Sequence, residues 1–310
     1  IPDPDPPRPS PMPDLADQSR TKATYGLQWN TFRILRPEED RATFFNRVRP
    51  SPEELRDALV LDAGCGMGRY VRVAVEAGAR VVGLDLSAAV EAARELNPDR
   101  SRAWFLRGDL LRPPFAADAF DLIYSLGVLD HTPDPRSAFL ELAKLLKPGG
   151  RIVIWVYRKE RPAVERLIDL HRAVSTRLPL GVLLRLSRWT APIGGLKCRM
   201  MASPHRLVER SGVALNLLTL GVSMHPDPEV RVCDTLDWYA PKLMSRHTSE
   251  EVAGWFAEAG LIDVRDLSLD QELFHAGQGN GVNLTGRRPV AGHRDSTRAR
   301  SETIEERREA

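Results

Sequence analysis

The chain has 310 residues, a formal net charge of +2, and 42% hydrophobic against 28% charged residues. This is the balance of a folded globular protein with one large elaborated domain or two small ones, and the charge is too small to point to nucleic acid. No apolar run approaches the roughly 20 residues of a membrane helix, no signal-peptide pattern opens the chain, and Cys65, Cys198 and Cys233 form no CxxC pair. No disulfide framework or metal site is therefore expected, and a reduced, cytoplasmic setting is.

Seven prolines within residues 1–13 predict a disordered or polyproline-like arm, extended here to residue 23. Apolar β-rich runs follow at 58–64, 80–87, 103–109, 120–127 and 151–157, with helical stretches at 68–78, 88–97 and 135–150 between them. Asp134 before Pro135 reads as the start of the last helix and Gly149-Gly150 as its end. Short continuous apolar strands alternating with helices predict a parallel sheet covered on both faces. From about 158 to 247 the alternation breaks into mostly helical sequence, with twelve Lys or Arg against four Asp or Glu between Arg158 and Arg210. Two more strands are read at 261–269 and 281–288, and residues 291–310 read as a charged tail.

The chemistry concentrates at "LVLDAGCGMGRY", residues 59–70. A glycine-rich turn between a strand and a helix lets backbone approach a ligand without Cβ clashes. Here the glycines fall at 64, 66 and 68 rather than in the dinucleotide spacing GxGxxG, and Asp62 stands two residues before the first. A pyrophosphate disfavours that carboxylate, whereas a ligand carrying an ammonium and a sulfonium suits it. Asp85 ends the second strand about twenty residues past the loop, where a carboxylate can accept from both ribose hydroxyls. Asp109 follows the third strand and can accept from an adenine amine.

With these residues the sequence resembles the class I S-adenosylmethionine-dependent methyltransferases, especially those of ubiquinone and menaquinone biosynthesis. The resemblance covers roughly 55–160 and continues more weakly through 235–261. It implies a Rossmann-like α/β fold with a seven-stranded, mostly parallel sheet and a helical lid inserted after the fifth strand. One methyltransferase domain would then span 24–290, with the lid at 158–247. It implies S-adenosylmethionine as cofactor, its methionine part near Asp62, Gly64, Cys65, Gly66 and Gly68. The ribose would lie at Asp85 and Leu86, the adenine at Gly108, Asp109 and Leu110, and the region of the methyl along Ser125 to Leu129, with Ser125 and Leu126 as contacts. "TYGLQWNTF" (24–32) resembles a covering segment of sugar and natural-product methyltransferases, with Tyr25, Gln28 and Trp29 as contacts.

Methyl transfer from a sulfonium needs alignment above all, and a base where the acceptor must lose a proton. His131, after the fourth strand, is the base candidate, paired with Asp130; many relatives carry two histidines there. Cys65 reads as a small buried residue, not a nucleophile. The acceptor is expected between the end of the fifth strand and the insertion, at Tyr157, Arg158, Trp238, Tyr239 and His247. The insertion admits three roles: a lid whose arginines meet phosphate or carboxylate, a peripheral membrane contact in which arginines interleave with apolar residues, or a homodimer interface. The leading expectation is methylation of O or N on a small molecule, a sugar or specialised metabolite with an anionic group. Residues 128–157 also resemble wobble-uridine methyltransferases, so tRNA modification is the alternative, with a non-catalytic cofactor-binding module behind it.

Overall fold

A computed structural model describes residues 15–33, 35–159, 161–219, 221–268 and 281–290. Three helices lead in: α1 (Leu15–Thr31), α2 (Pro37–Arg47) and the single turn α3 (Pro52–Leu55). The alternating body follows as β1 (Leu59–Ala63), α4 (Arg69–Glu76), β2 (Arg80–Asp85), α5 (Ala89–Leu96), β3 (Ala103–Arg107), β4 (Phe120–Leu126), α6 (Pro135–Lys144) and β5 (Leu146–Tyr157). Then come four helices, α7 (Pro162–Ser175), α8 (Leu180–Met201), α9 (Arg206–Leu218) and α10 (Pro228–Tyr239). The chain returns to the sheet through α11 (Ser249–Glu258), β6 (Ile262–Asp266) and β7 (Gly281–Arg287). No described helix is long and apolar enough to cross a membrane.

The sheet has seven strands in the order β3-β2-β1-β4-β5-β7-β6. Strands β1 to β5 run parallel, and β7 pairs antiparallel with both β5 and β6. Because side chains alternate along a strand, each buried strand feeds two cores. Leu61, Ala63, Ile152 and Ile154 pack with α6 and α11 through Phe139, Leu142 and Phe256. Val60, Val81, Tyr124 and Val153 face the other way, onto α2, α4 and α5 through Phe44, Val71 and Ala93. A third, smaller core joins Phe32, just past α1, to Leu183 and Ala191 of α8 and Leu236 of α10. This third core holds the insertion over the C-terminal ends of the parallel strands.

Two boundaries differ from expectation. Residues 15–23, assigned above to a disordered arm, are the first half of α1; the last of the clustered prolines is Pro13, and the segment beyond it lacks helix breakers until Gly26. The helix expected over 135–150 stops at Lys144. Pro148 cannot donate into a helix and disfavours helical backbone at Lys147. Residues 146–150 instead open β5, where Gly149, at φ +80°, donates to the Arg288 carbonyl at 2.9 Å. The start of α6 is as expected, Asp134 accepting from the Ser137 amide at 2.9 Å. Residues 1–14, Leu269 and the tail at 291–310 lie outside the described residues.

The glycine loop sets a stability test. Gly68, at φ +78°, is the N-cap of α4, and a Cβ there would stand 2.6 Å from Asn97 Nδ2 and 3.1 Å from the Phe105 ring. Gly68→Ala is expected to cost about 1–3 kcal/mol through backbone strain and overpacking, read as a lowered urea midpoint with unchanged slope.

Candidate active site

The parallel strands reverse their order between β1 and β4, the place where open α/β sheets take ligands. A cavity of about 300 Å³ lies there, floored by the strand ends and covered by α1 and α10. The loop after β1 is bare because neighbours leave no room. A Cβ on Gly64 (φ +98°) would overlap Val128 at 2.3 Å, and one on Gly66 (φ +51°) would meet Trp29 Nε1 at 3.1 Å. Gly64 and Cys65 donate their amides to the Leu84 carbonyl at 2.7 and 3.0 Å, which fixes the loop to β2. Gly68 is displaced from this role. It does not line the cavity and serves the packing of α4 on α5 and β3. Burial, reinforced by Asp85 and Asp62, pushes the Cys65 thiol up, so Cys65 is an inert lining group.

Asp62, Asp85 and Asp109 all line the cavity, as do Leu86, Leu110 and Leu126. Asp62 is buried in the central strand and accepts from Tyr124 Oη at 3.1 Å. Burial drives its pKa up to about 8, against the lowering effect of the Tyr124 bond. Asp85 accepts from the Gly66 amide at 2.9 Å with one oxygen, and from the Ser87 amide and hydroxyl at 2.8 and 2.7 Å with the other. Asp109 accepts from the Leu111 amide at 2.9 Å. Gly108 and Ser125 do not line the cavity. Gly108 donates to the Asp85 carbonyl at 3.0 Å, and Ser125 Oγ donates to the Ala63 carbonyl at 2.8 Å, so both brace neighbouring strands.

Beyond the glycine loop the cavity runs along an aromatic wall. His131 stands 5.1 Å from Tyr25 and 5.7 Å from Tyr157, centroid to centroid, and Tyr157 stands 5.4 Å from Trp155. The Arg47 guanidinium lies 4.2 Å over Trp155. His131 is 8% exposed. Its Nδ1 is 2.9 Å from the Leu243 carbonyl, which assigns the proton to that nitrogen and leaves Nε2 a buried acceptor with no partner among the described residues. Burial lowers its pKa, so the ring is neutral at pH 7. Burial lowers that of Arg47 as well, and no described carboxylate pairs with Arg47 within the cavity.

Several expected site residues lie elsewhere. Asp130 is fully buried outside the cavity, its carboxylate accepting the Tyr157 amide at 3.1 Å with each oxygen; it ties the turn after β4 to β5. Arg158 donates to the Gly281 carbonyl at 3.2 Å. His247 pairs with the end of β5 through its backbone, and its ring meets that of Trp255 edge-on at 4.8 Å. Tyr239 is beyond the reach of the cavity at the end of α10, where Ser175 Oγ donates to its carbonyl at 2.9 Å. Tyr157 and Trp238 do line the cavity, as do Tyr25, Gln28 and Trp29.

The insertion contributes acids to the cavity, not the expected arginines. Asp234 and Asp237 line it, and Asp237 accepts from Tyr157 Oη at 3.0 Å. Its buried cations are spent on backbone: Arg172 donates to the Trp238 and Pro241 carbonyls at 2.7 Å each, and Arg231 to those of His225 and Ala191 at 2.9 Å each. The cavity's cations come from earlier in the chain: Lys22, Arg36, Arg47 and Arg69. Lys22, Arg36 and Arg47 were not expected, nor were Thr21, Phe32, Asp234 and Asp237, and for these last four a signal existed beside the expected Tyr25, Gln28, Trp29 and Trp238. Positions 21, 25, 28, 29 and 32 of α1 and its end, and 230, 233, 234, 237 and 238 of α10, recur at helical spacing on single faces. Arg47 had none, since it ends a helix whose sequence shows no periodic stripe.

Residues 61–154 match the family model described as "Methyltransferase domain". A probable tocopherol O-methyltransferase of Oryza sativa subsp. japonica is 35% identical over 125 residues, 38% of this chain and 34% of its own length. The tRNA U34 carboxymethyltransferase of Shewanella oneidensis is 37% identical over 116 residues, 36% of this chain and 34% of its own. The chain thus spans about a third of the curated relatives it matches. Among solved structures, the 1,6-didemethyltoxoflavin-N1-methyltransferase of Burkholderia thailandensis is similar at 16% identity, with 91% of this chain and 93% of that one covered and a TM-score of 0.49. Over residues 61–154, from β1 through most of β5, the chain thus matches a methyltransferase-domain family, and the relatives similar to it are methyltransferases.

Proposed function

We propose that the chain methylates an oxygen or nitrogen of a small acidic molecule, with S-adenosylmethionine as donor. The cofactor fits the residues present. Asp62, a buried carboxyl with a single described donor, suits an ammonium, and the bare backbone at Gly64 and Gly66 leaves the space a Cβ would fill. Asp85 would hold the ribose and Asp109 with Leu110 the adenine. When bound, the cofactor supplies a methyl group already activated on sulfur.

The observation that carries the acceptor reading is the pairing of two underused groups along one aromatic wall. His131 Nε2 is an orphaned acceptor at one end, and the Arg47 guanidinium lacks a described carboxylate at the other. A planar acceptor laid on Tyr157 and Trp155 would present its O–H or N–H to His131 Nε2, which takes the proton as the new bond to carbon forms. Its anionic group would meet Arg47 in a charge-assisted hydrogen bond. The covers α1 and α10 keep water from the reacting atoms, and they support a small acceptor over a base held in a folded RNA.

Binding decides the cofactor assignment first. Calorimetric titration is expected to show binding of S-adenosylmethionine and S-adenosylhomocysteine and none of NAD; no heat with either adenosyl ligand overturns the reading. Asp85→Ala should weaken that binding about 10- to 100-fold, through lost charged hydrogen bonds.

Asp62 adds a proton signature. Its carboxyl is mostly protonated below its pKa of about 8, and a bound ammonium favours the ionised form. Binding at pH 7 should therefore release close to one proton, and affinity should rise with pH until about 8 and level off above it. Enthalpies measured in buffers of different ionisation heat read this directly, and Asp62→Asn should abolish it.

For the acceptor, a screen of phenols, amines and their carboxylated forms with labelled donor should favour the acids. Arg47→Met should lose that preference with cofactor affinity intact. His131→Leu should lower turnover about 10²–10⁴-fold, again at unchanged cofactor affinity. Equal rates with neutral and acidic acceptors would remove the anion from the proposal.

A further inference from the structure

We propose that the outer face of the α8–α9 pair docks on an anionic lipid surface. Of the thirteen large apolar side chains standing exposed among the described residues, nine lie on α7, α8 and α9, a concentration that single scattered surface hydrophobics do not explain. On α8 the inner face is spent: Leu183, Ser187, Ala191 and Gly194 are buried toward α10 and the loop before it. The opposite side carries Arg185, Trp189, Pro192, Leu196 and Arg199, spaced by three or four so that they form one stripe about 20 Å long. Trp189 is 81% exposed and Leu196 52%.

Helix α9 extends this face. Its Gly212 packs on Met200 and Met201 at the end of α8, which turns Leu207 and Arg210 outward on the far side of the helix. Leu207 is 80% exposed. The charges interleaved with these apolar groups are Arg185, Arg188, Arg199, Arg206 and Arg210, all exposed and none paired with a described carboxylate; Glu209 is the single acid between Leu180 and Leu218.

The pattern selects the occupant. Arginine stems can lie along acyl chains while their guanidinium groups stay at headgroup phosphates. Indole suits the same interface, and an apolar face rimmed by cations is that of a helix lying in the headgroup plane. A two-fold pairing with a second copy would set this surface against itself, arginines facing arginines with one glutamate to offset them. The inner side of the same insertion covers the cavity through α10, so docking would place that cover at the lipid boundary. The inference is independent of methyl transfer, because lipid binding is read without turnover.

The full chain is tested by flotation with vesicles of phosphatidylcholine alone and of phosphatidylcholine mixed with phosphatidylglycerol. Binding to the mixed vesicles and little to the neutral ones is expected, with a blue shift of tryptophan fluorescence that Trp189→Phe reduces. Replacing both Arg185 and Arg188 by Gln should lower partitioning about thirty-fold, and Trp189→Glu with Leu207→Glu should abolish it. All four positions are exposed, and unchanged thermal unfolding checks that these variants fold. Three results would overturn the proposal: no flotation with either vesicle, a concentration-dependent dimer in sedimentation that Trp189→Glu breaks, or binding to RNA in place of vesicles.

Discussion

A carboxyl buried in the middle strand of a parallel sheet is costly whenever it is ionised and unmatched, and Asp62 is such a group. It lies in β1, between β2 and β4, on the same side of the sheet as Val60 and Tyr124, yet at the strand's C-terminal end where the side chains of α2 and α4 give way to the cavity. Tyr124 relieves part of the cost with one hydrogen bond. The rest shows as a carboxyl that holds its proton up to about pH 8, and much of the surrounding architecture preserves that condition. Gly64 and Gly66 keep side chains out of the adjoining space, Trp29 closes the loop from above, and Asp85 anchors the Gly66 amide so that the loop cannot collapse onto Asp62.

The insertion shows how little charge composition says about where charge acts. Its surplus of cations suggested a grip on an anionic acceptor. Inside the fold, Arg172, Arg231 and Lys197 are consumed by backbone carbonyls, most of them at helix ends and turns, where three-donor or five-donor side chains satisfy groups that no helix can. The cavity receives acids from the same segment. The exposed arginines include Arg166 on α7, Arg185, Arg188 and Arg199 on the opposite face of α8, and Arg206 and Arg210 on α9. One basic stretch thus divides into internal bracing and external surface, and the division follows helical periodicity, not local sequence.

The parts of the fold legible in advance were those that local pattern determines: seven strands, their mostly parallel order, the Asp134 cap, and a helical insertion after the fifth strand. The sequence could nominate cavity-lining residues near the glycine loop because they cluster within a few positions of three strand ends. Gly68, Gly108 and Ser125, nominated with them, do not line the cavity, since a sequence does not show which side of a turn a residue packs against. The far end of the cavity, where the acceptor is proposed, was less legible. His131, Tyr157 and Trp238 were candidates from the sequence, but Arg47, Trp155 and Asp237 come from α2, β5 and α10, and no spacing rule links them. Asp130 beside His131 shows the limit sharply: adjacent in sequence, one faces the cavity and the other caps β5.

The anchoring of His131 ties the ring to the cover of the cavity. Its Nδ1 is held by the carbonyl of Leu243, and the Leu243 amide in turn donates to Thr21 Oγ1 of α1 at 2.9 Å. Arg172 holds the carbonyls of Trp238, Pro241 and Lys242 just before it. The imidazole is thus oriented by the roof of the chamber and not by the sheet beneath. The bond that sets the tautomer of His131 and the segment that covers the chamber therefore belong to one connected unit, so any change in the cover is also a change at the ring.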